Sequence, residues 1–458
     1  MDGLAKSSWR FEAEIMTETA SGAAPADMLP RDRHLFGPGR KHILSLDGGG
    51  VRGAITVAFL EAIETELTRR HGKDARLCDW FDLIGGTSTG AIIAGALALG
   101  YRASELKDFY LKLTPYVFKR EFWRIPYLQA KFDARMLRRR IEEVVRDRDL
   151  ATPDLLTGFC IFTKRMDTGS PWVLANNPRA PYWEDGKDHL GNKSYRLANL
   201  VRASTAAPRY FEPEILRILP DPSESAPAIL PVGKDGGAAS ATSTRPYLQN
   251  AGRRAAEEFS SETHGIFVDG GVSPHGDPAL GLFHMTQFER FGLRWPTGPD
   301  KLTIVSVGTG GHRPRLSFEK LMIARFLRLG LQALMSMMHD SQQSVLTQML
   351  WMGETPTPWR INSEIGDLRN DAPAGGKMFR FLRYDVRLET DWLDRQLGAK
   401  IDPREVARLR QMDDPTIVPV IYELARTAAK QQVRSDHWDI LLSEDGGVGR
   451  KLPVSDPL

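Results

Sequence analysis

Short apolar runs alternate with longer amphipathic segments in the first part of the chain. Residues 41–46 form an apolar run that ends in an aspartate and three glycines, and residues 54–70 follow with apolar positions at helical spacing. A second apolar run over 80–85 ends in another glycine-containing turn, which leads into the small, apolar segment 91–99. A strand, a glycine turn and a helix therefore occur twice in succession, and this order predicts an α/β fold with a parallel sheet.

Later segments extend this pattern. Three apolar runs, over 159–163, 265–269 and 302–307, each close on a polar or glycine-rich stretch and predict further strands. Residues 317–353 have a helical, apolar pattern, and a strand-like stretch follows over 378–388. We therefore predict a mostly parallel central sheet with a C-terminal extension that is mainly helical.

Changes in composition divide the chain into parts. Residues 1–38 are polar and rich in small side chains, and we predict a flexible N-terminal segment. Residues 39–315 carry the candidate motifs and form the predicted catalytic domain. Within it, residues 221–262 are rich in Pro, Gly, Ala, Ser and Thr, which is typical of a mobile insertion. Residues 316–458 are predicted to form a mainly helical region packed on the catalytic domain.

The charges of the chain nearly cancel. Among 458 residues, 61 are Lys or Arg and 58 are Asp or Glu, which gives a formal net charge of +3. This balance does not favour a nucleic-acid-binding protein, which usually concentrates basic charge on one face. The two cysteines, Cys78 and Cys160, provide no disulfide framework and indicate a reducing compartment.

No segment has the pattern of a signal peptide or of a membrane-spanning helix. Charged residues interrupt the N-terminal region, where no apolar core of signal-peptide length follows. No stretch reaches the ~18 uninterrupted apolar residues that a spanning helix needs. These features predict a cytoplasmic protein that contacts membranes peripherally at most, and secretion by a route without a cleaved signal stays open.

The first candidate for chemistry is Ser88, at the centre of the sequence Gly-Thr-Ser-Thr-Gly over 86–90. A serine on a tight strand-to-helix turn needs small neighbours, and glycine on both sides supplies them. Its hydroxyl is then exposed at the carboxyl end of the strand, above a helix N-terminus whose dipole favours developing negative charge. This context favours a nucleophile over an ordinary strand–helix turn, which remains the alternative.

The second candidate is the glycine loop, residues 47–53, with the sequence Asp-Gly-Gly-Gly-Val-Arg-Gly. Consecutive glycines let successive backbone N–H groups point into one concavity, which suits an oxyanion. The same loop also matches the dinucleotide-binding pattern G-x-G-x-x-G at Gly48, Gly50 and Gly53. The charge of Asp47 and the serine turn at the end of the next strand count against that second interpretation.

The third candidate is Asp269, which ends an apolar strand and precedes two glycines. Asp-Gly-Gly also occurs at Asp47, Asp235 and Asp445, but Asp235 lies in the low-complexity insertion and Asp445 in the polar tail. Only Asp269 combines an apolar strand with a position at the predicted active edge of the sheet. It is therefore the candidate base, and the alternative is a carboxylate that caps a turn.

Other chemistry has weaker support. No histidine has the setting of a triad base, and each is more typical of a surface or hydrogen-bonded histidine. No H-E-x-x-H, paired C-x-x-C or EF-hand loop is present, so we predict neither a metal nor a cofactor. The histidines nearest to Asp269 or to predicted strand ends are His275, His42, His264, His284 and His312.

Two segments are candidates for lipid contact. Residues 117–127 interleave aromatic and basic side chains, as interfacial segments do, although a core-docking segment has a similar composition. Residues 321–352 hold six methionines, which suit an acyl channel or a lid but more often belong to a core. These methionines are Met322, Met335, Met337, Met338, Met349 and Met352.

The motifs, in this order, resemble the patatin-like phospholipase family. The resemblance rests on residues 47–53, 86–90 and 269–271, with support from 203–211 and 304–310. It implies a three-layer α/β/α fold and a Ser–Asp dyad without histidine. It also implies calcium-independent hydrolysis of carboxylic esters, often in phospholipids at a membrane surface, with no nucleic-acid partner.

Carried over by position, the resemblance makes Ser88 the nucleophile and Asp269 the base. Where the family often has Asn-Asn-Pro after the Asp-Gly-Gly, this chain has His-Gly-Asp-Pro over 275–278. A dinucleotide-binding oxidoreductase and a catalytically silent interaction protein on the same fold stay open as alternatives, and so does an activating ligand or a homo-oligomer. The backbone amides assigned to the oxyanion hole are those of Gly48, Gly49, Gly50 and Arg52.

Overall fold

The computed structural model describes residues 28–118, 130–220, 262–313 and 326–438. Within these ranges, nine strands form one sheet. In chain order the strands are β1 (Lys41–Leu46), β2 (Leu83–Thr87), β3 (Gly158–Arg165), β4 (Pro171–Ala175), β5 (Glu214–Arg217), β6 (His264–Asp269), β7 (Leu302–Val307), β8 (Gly353–Glu354) and β9 (Phe379–Tyr384).

Helices connect most of these strands. Their bounds, over the same part of the chain, are α1 (Pro30–Phe36), α2 (Gly53–His71), α3 (Leu77–Trp80), α4 (Thr89–Ala98), α5 (Ala103–Val117), α6 (Ala134–Val145), α7 (Leu197–Ser204), α8 (Ala279–Gln287), α9 (Phe326–Met352), α10 (Thr390–Leu397), α11 (Pro403–Leu409) and α12 (Val418–Gln432).

The sheet is mixed but mostly parallel. Its hydrogen-bonded order is β5-β6-β3-β2-β1-β7-β9-β8, and β4 pairs with β3 in addition. The pairs of β1 with β2 and β7, of β2 with β3, and of β9 with β7 and β8 are parallel. The pairs β3–β4, β3–β6 and β5–β6 are antiparallel. The predicted α/β class with a mostly parallel sheet is confirmed.

Both faces of the sheet are apolar because successive residues of a strand point to opposite sides. Leu44 and Ile84 belong to one buried cluster, which includes side chains of α2, α4 and α12. Ile43 and Leu83 belong to a second cluster, which includes side chains of α1 and α8 and the last turns of α9. Helices therefore cover the sheet on both sides, and the three-layer α/β/α architecture is confirmed.

The structure differs from the predicted boundaries in two places. Residues 80–85 are not all strand: Trp80 ends α3, and β2 begins only at Leu83. The buried Asp82 between them accepts from the His42 amide at 2.9 Å and lies 3.1 Å from Nδ1 of His34. These bonds connect α1 to β1 and to the residue before β2. Residues 30–36, which belong to the segment predicted to be flexible, are therefore helical and packed.

The C-terminal region is less separate than predicted. Its strand β9 pairs with β7 along five residues, and β8 pairs with β9, so this region completes the central sheet. Helix α12 packs along α2 and shares its apolar cluster. The boundary predicted at residue 315 therefore does not separate two cores.

Several predicted features fall partly or wholly outside the described ranges. These are residues 1–27, the insertion up to residue 261, and the aromatic-basic segment after residue 118. Of the methionines on α9, Met349 is buried, whereas Met335 and Met337 are 46% and 66% exposed. Among the methionines that the structure describes, the buried one thus lies near the end of the segment, and Met322 lies outside the described residues. No helix within the described ranges is both long enough and apolar enough to cross a bilayer.

Candidate active site

Strands β2 and β6 meet end to end along one edge of β3. Cys160 of β3 pairs with Gly85 of β2 and with Ala175 of β4, so β2 and β4 lie on opposite sides of β3. Thr163 of β3 pairs with β4 and with Asp269 of β6, which places β6 on the same side as β2.

The last residues of the two strands are neighbours along this edge. Thr87 of β2 pairs with Phe162, and Asp269 of β6 pairs with the next residue, Thr163. Strand β2 runs parallel to β3 and β6 runs antiparallel to it, so the two strands end at this point from opposite directions. The residue after Thr87 is Ser88, so the sheet register itself brings the predicted nucleophile and the predicted base together.

Ser88 has a strained backbone, with φ 56° and ψ −125° at the junction of β2 and α4. A non-glycine residue at positive φ costs on the order of 1–3 kcal/mol, which surrounding contacts must offset. Ser204, the last residue of α7, supplies such contacts: its Oγ accepts from the Ser88 amide at 2.9 Å and donates to the Phe162 carbonyl at 2.6 Å. Ser204 therefore ties the turn to β3.

The turn also requires a close approach of two backbone segments. A Cβ atom on Gly90 would lie 2.2 Å from the carbonyl oxygen of Leu46. Only glycine permits this contact between the first turn of α4 and the end of β1. The glycine after Ser88 is thus explained by packing against β1.

Asp269 is buried beside Ser88. Its carboxylate lies close to the Ser88 side chain and accepts from the Gly271 amide at 2.7 Å. Burial raises the pKa of Asp269 to about 6, and the Ser88 hydroxyl, the Gly271 amide and the charge of Arg202 oppose this rise. A carboxylate in this state is a stronger base than an exposed aspartate and still ionised at neutral pH.

The glycine loop offers fewer free amides than predicted. The Gly48 amide donates to the Gly276 carbonyl at 3.1 Å, and the Arg52 amide donates to the Gly49 carbonyl at 3.2 Å. No partner for the amides of Gly49 and Gly50 occurs among the described residues. Two of the four predicted donors, those of Gly49 and Gly50, therefore stay available for an oxyanion.

Contacts from residues before and after the predicted boundary at residue 315 fix the glycine loop. Gly50 has φ 59°, and a Cβ atom there would lie 2.2 Å from the Met412 carbonyl oxygen. The same carbonyl accepts from the Val51 amide at 2.9 Å, while the Gly50 carbonyl accepts from the Thr89 hydroxyl at 2.9 Å and from the Tyr110 hydroxyl. The loop is thus held in one conformation by α4, α5 and the segment before α12.

A buried charge cluster lies directly behind the loop. The Arg383 guanidinium donates to Asp47 at 2.7 Å, to Asp385 at 2.8 Å and to Ser306 at 2.7 Å, and it lies 3.4 Å from Asp277. Burial raises the pKa of Asp47 and of Asp277, and the charge of Arg383 opposes both shifts. Arg383 therefore holds the residue before the glycines and the segment after Asp269 in one cluster.

Residues 275–278, which depart from the family pattern, contact this cluster and the glycine loop. Asp277 contacts Arg383, and the Gly276 carbonyl accepts from the Gly48 amide. His275 stacks on Phe162 with ring centroids 4.5 Å apart. Burial lowers the pKa of His275 to about 4, so its ring is a neutral packing group.

All ten histidines fall within the described ranges. In that part of the chain, no histidine forms a hydrogen bond with Ser88 or Asp269. No group of three or more His, Cys, Asp or Glu side chains there is placed to hold a metal ion either. The candidate residues that the structure brings together are a serine, a carboxylate and backbone amides.

Sequence reasoning missed two residues of this site. Ser204 lies within 203–211, a stretch noted for its resemblance to the family but given no role. Arg383 lies in the predicted strand 378–388, and nothing in its local pattern indicates a partner 336 positions away. Charged residues that interrupt this apolar strand, among them Arg380, Arg383 and Asp385, were the available signal.

The chain is similar in part to several known proteins. Patatin-like protein 2 of Arabidopsis thaliana is 27% identical over 305 residues, which cover 62% of this chain and 63% of the relative. The cGAMP-activated phospholipase of Vibrio cholerae is 32% identical over 182 residues, which cover 37% of this chain and 49% of the relative. The solved human GIVD cytosolic phospholipase A2 has a TM-score of 0.40 and 10% identity, with 90% of this chain and 60% of that chain covered.

The chain spans less than two thirds of the length of these relatives. A family model described as "Patatin-like phospholipase" matches residues 44–282, which run from β1 to α8. This range contains Ser88, Asp269 and the glycine loop, and it makes up more than half of the sequence. The chain therefore belongs to the patatin-like phospholipase family.

Proposed function

We propose that this protein is a lipid acyl hydrolase of the phospholipase A type, which cleaves carboxylic ester bonds without calcium. The observation that carries the proposal is the closeness of Ser88 to the buried Asp269 carboxylate, beside the Gly49 and Gly50 amides, which have no partner among the described residues. Support for a lipid substrate comes from the family and from relatives named as phospholipases.

The proposed reaction has two halves. Asp269 accepts the hydroxyl proton as Ser88 Oγ attacks the ester carbonyl carbon. The resulting oxyanion receives hydrogen bonds from the amides of Gly49 and Gly50. When the tetrahedral intermediate collapses, the alcohol takes the proton from Asp269, and an acyl-Ser88 ester remains. Water then attacks this ester with Asp269 again as base, which releases the fatty acid and restores the serine.

The dyad works only if other groups lower the barrier. An unperturbed aspartate, with a pKa of about 3.9, is a weak base for a serine hydroxyl. Burial of Asp269 reduces this mismatch. Each oxyanion donor typically contributes about 3–4 kcal/mol of transition-state stabilisation, so the two free amides supply a large share.

The contacts of the glycine loop favour this role over dinucleotide binding. A Cβ atom on Gly49 would lie 2.2 Å from Thr309 Oγ1, and one on Gly48 would lie 3.2 Å from Ser88 Cβ. The loop is therefore packed against the end of β7 and against the serine turn. No observation favours the oxidoreductase or a silent interaction protein.

Product analysis tests the proposed function. The purified protein is incubated with mixed phospholipid vesicles in the presence of a calcium chelator, and the products are identified by mass spectrometry. We expect free fatty acid and lysophospholipid in equal amounts. Release of a phosphorylated headgroup, or the absence of any product at every lipid composition, would contradict the proposal.

The rate should depend on pH through Asp269. Below its pKa of about 6 the carboxyl group is protonated and has no acceptor for the serine proton. We expect kcat/KM for a soluble ester, followed by product titration, to be constant above that value and to fall about tenfold per pH unit below it. His275, with a pKa of about 4, does not titrate in this range. A rate that stays constant between pH 7 and 5 would exclude Asp269 as the base.

A further inference from the structure

Four arginines near the glycine loop bond to backbone carbonyls instead of carboxylates. No carboxylate lies within ion-pair distance of any of them in the described ranges, and the Arg387 guanidinium also lies over the Trp359 ring, 4.9 Å from its centroid. The bonds, donor first, are Arg52 Nη1 to Gly310 O at 2.9 Å, Arg313 Nη2 to Ile361 O at 2.7 Å, Arg410 Nε to Leu388 O at 2.8 Å, and Arg387 Nη2 to Arg360 O.

Backbone pairing brings these arginines, which we call the arginine cluster, to one place. Gly311 pairs with Arg387, and its amide and carbonyl bond to Val386 and Leu388 at 2.9 and 2.8 Å. The cluster thus lies at the two segments that directly follow the carboxyl ends of β7 and β9. Arg52 belongs to the glycine loop itself, so the cluster lies beside the proposed catalytic site.

Positive charge in this region exceeds negative charge. Burial and the charges of Arg52 and Arg410 lower the pKa of His312 to about 4, and burial lowers that of His339. Among the described residues the acids that act on this region are Asp385, which bonds to Arg383 at 2.8 Å, Glu389, which accepts from the Arg313 amide at 2.9 Å, and Asp340, beside His339. They are fewer than the four arginines. The two neutral histidines add hydrogen-bonding groups to the cluster without adding charge.

The cluster also has an unfilled donor. Arg52 is only 6% exposed, yet its Nε has no hydrogen-bond partner within the described part of the chain. A buried guanidinium nitrogen without a partner is costly unless a ligand satisfies it. Guanidinium groups match the geometry of phosphate oxygens, so the chemistry of the cluster suits a phosphate ester.

We propose that Arg313, Arg387 and Arg410, next to Arg52, bind the phosphate group of a lipid headgroup while the ester lies at Ser88. Met335 favours a lipid over a soluble phosphate compound, because it lies one helical turn before His339 on α9 and is 46% exposed. His339 lies near enough to Arg313 to be affected by its charge, so Met335 puts an exposed apolar side chain near the arginine cluster. This composition is typical of an interfacial surface. The lipid identity of the ligand rests on the proposed function, whereas the phosphate site does not.

Vesicle binding tests this site without hydrolysis. Ser88→Ala protein is sedimented with vesicles of phosphatidylcholine alone and of phosphatidylcholine mixed with phosphatidylglycerol. In that background, Arg313→Gln/Arg387→Gln should weaken binding to the mixed vesicles by roughly tenfold or more, because each basic group near an anionic surface contributes measurably. Arg313→Lys/Arg387→Lys keeps the charge but not the paired donors of guanidinium, so it should retain only part of the binding.

The matched control is Arg395→Gln/Arg404→Gln, which makes the same charge change at two exposed arginines of α10 and α11. The control should bind as the parent does, and thermal unfolding verifies that each variant is folded. Unchanged binding of Arg313→Gln/Arg387→Gln, or an equal loss in the control, would overturn the proposal. If soluble glycerol phosphate competed for the site as strongly as lipid does, the claim that the ligand is a lipid would be overturned.

These outcomes are separable from those of the proposed function. If no ester is hydrolysed but binding depends on Arg313 and Arg387, the phosphate site stands and the catalytic proposal falls. If lysophospholipid forms but binding ignores both arginines, the catalytic proposal stands and the site falls.

Discussion

Replacement of Ser88 by alanine is expected to abolish ester hydrolysis while the protein stays folded. Loss of the nucleophile in a serine hydrolase lowers kcat by at least about a thousandfold. The backbone bonds of the turn persist in Ser88→Ala, because Ser204 accepts from the Ser88 amide and not from its hydroxyl. We therefore expect an unchanged thermal unfolding midpoint together with the loss of fatty-acid release.

Asp269→Asn should have a comparable effect on kcat for a different reason. The asparagine side chain keeps an oxygen that can accept from the Gly271 amide, now bonded at 2.7 Å. It has no carboxylate to take the serine proton. Ser170→Ala, in the turn between β3 and β4, serves as the control serine variant and should retain full activity. Turnover at the parental rate in purified Ser88→Ala would eliminate the dyad.

The sequence predicts most of the site because its elements are local. Ser88 and Asp269 each follow a buried apolar strand and precede or adjoin glycines, so each position is visible within a few residues. The alternation of the strands likewise determines both apolar faces of the sheet. These features need no knowledge of distant contacts.

The geometry that joins these elements is not local. That β6 runs antiparallel to β3 and ends against β2 depends on pairing between residues about a hundred positions apart, such as Thr163 and Asp269. The hydrogen bond from the Gly48 amide to the Gly276 carbonyl likewise joins residues that are far apart in the sequence. For this reason the loop was predicted to offer four donors, whereas the structure leaves those of Gly49 and Gly50 free.

Replacement of Arg383 by methionine is expected to cause a large loss of stability. Methionine has a similar length but no charge, so Asp47, Asp277 and Asp385 lose their shared guanidinium inside the protein. Breaking a buried ion pair by removal of one partner typically costs about 3–5 kcal/mol. We expect a loss of this size in denaturant unfolding, with a lower kcat because Asp47 directly precedes the glycine loop.

A double-mutant cycle identifies the cause. Asp47→Asn removes one of the stranded charges, so Asp47→Asn/Arg383→Met should be more stable than Arg383→Met alone. Side chains in direct contact commonly show coupling of about 0.5–3 kcal/mol, and the 2.7 Å bond between Arg383 and Asp47 belongs to this class. Additive losses would mean that Arg383 stabilises the fold through packing. If the second substitution restores both stability and kcat, Arg383 affects catalysis through its contact with Asp47. A side chain of β9, beyond the family's matched range, would then keep the glycine loop in its catalytic conformation.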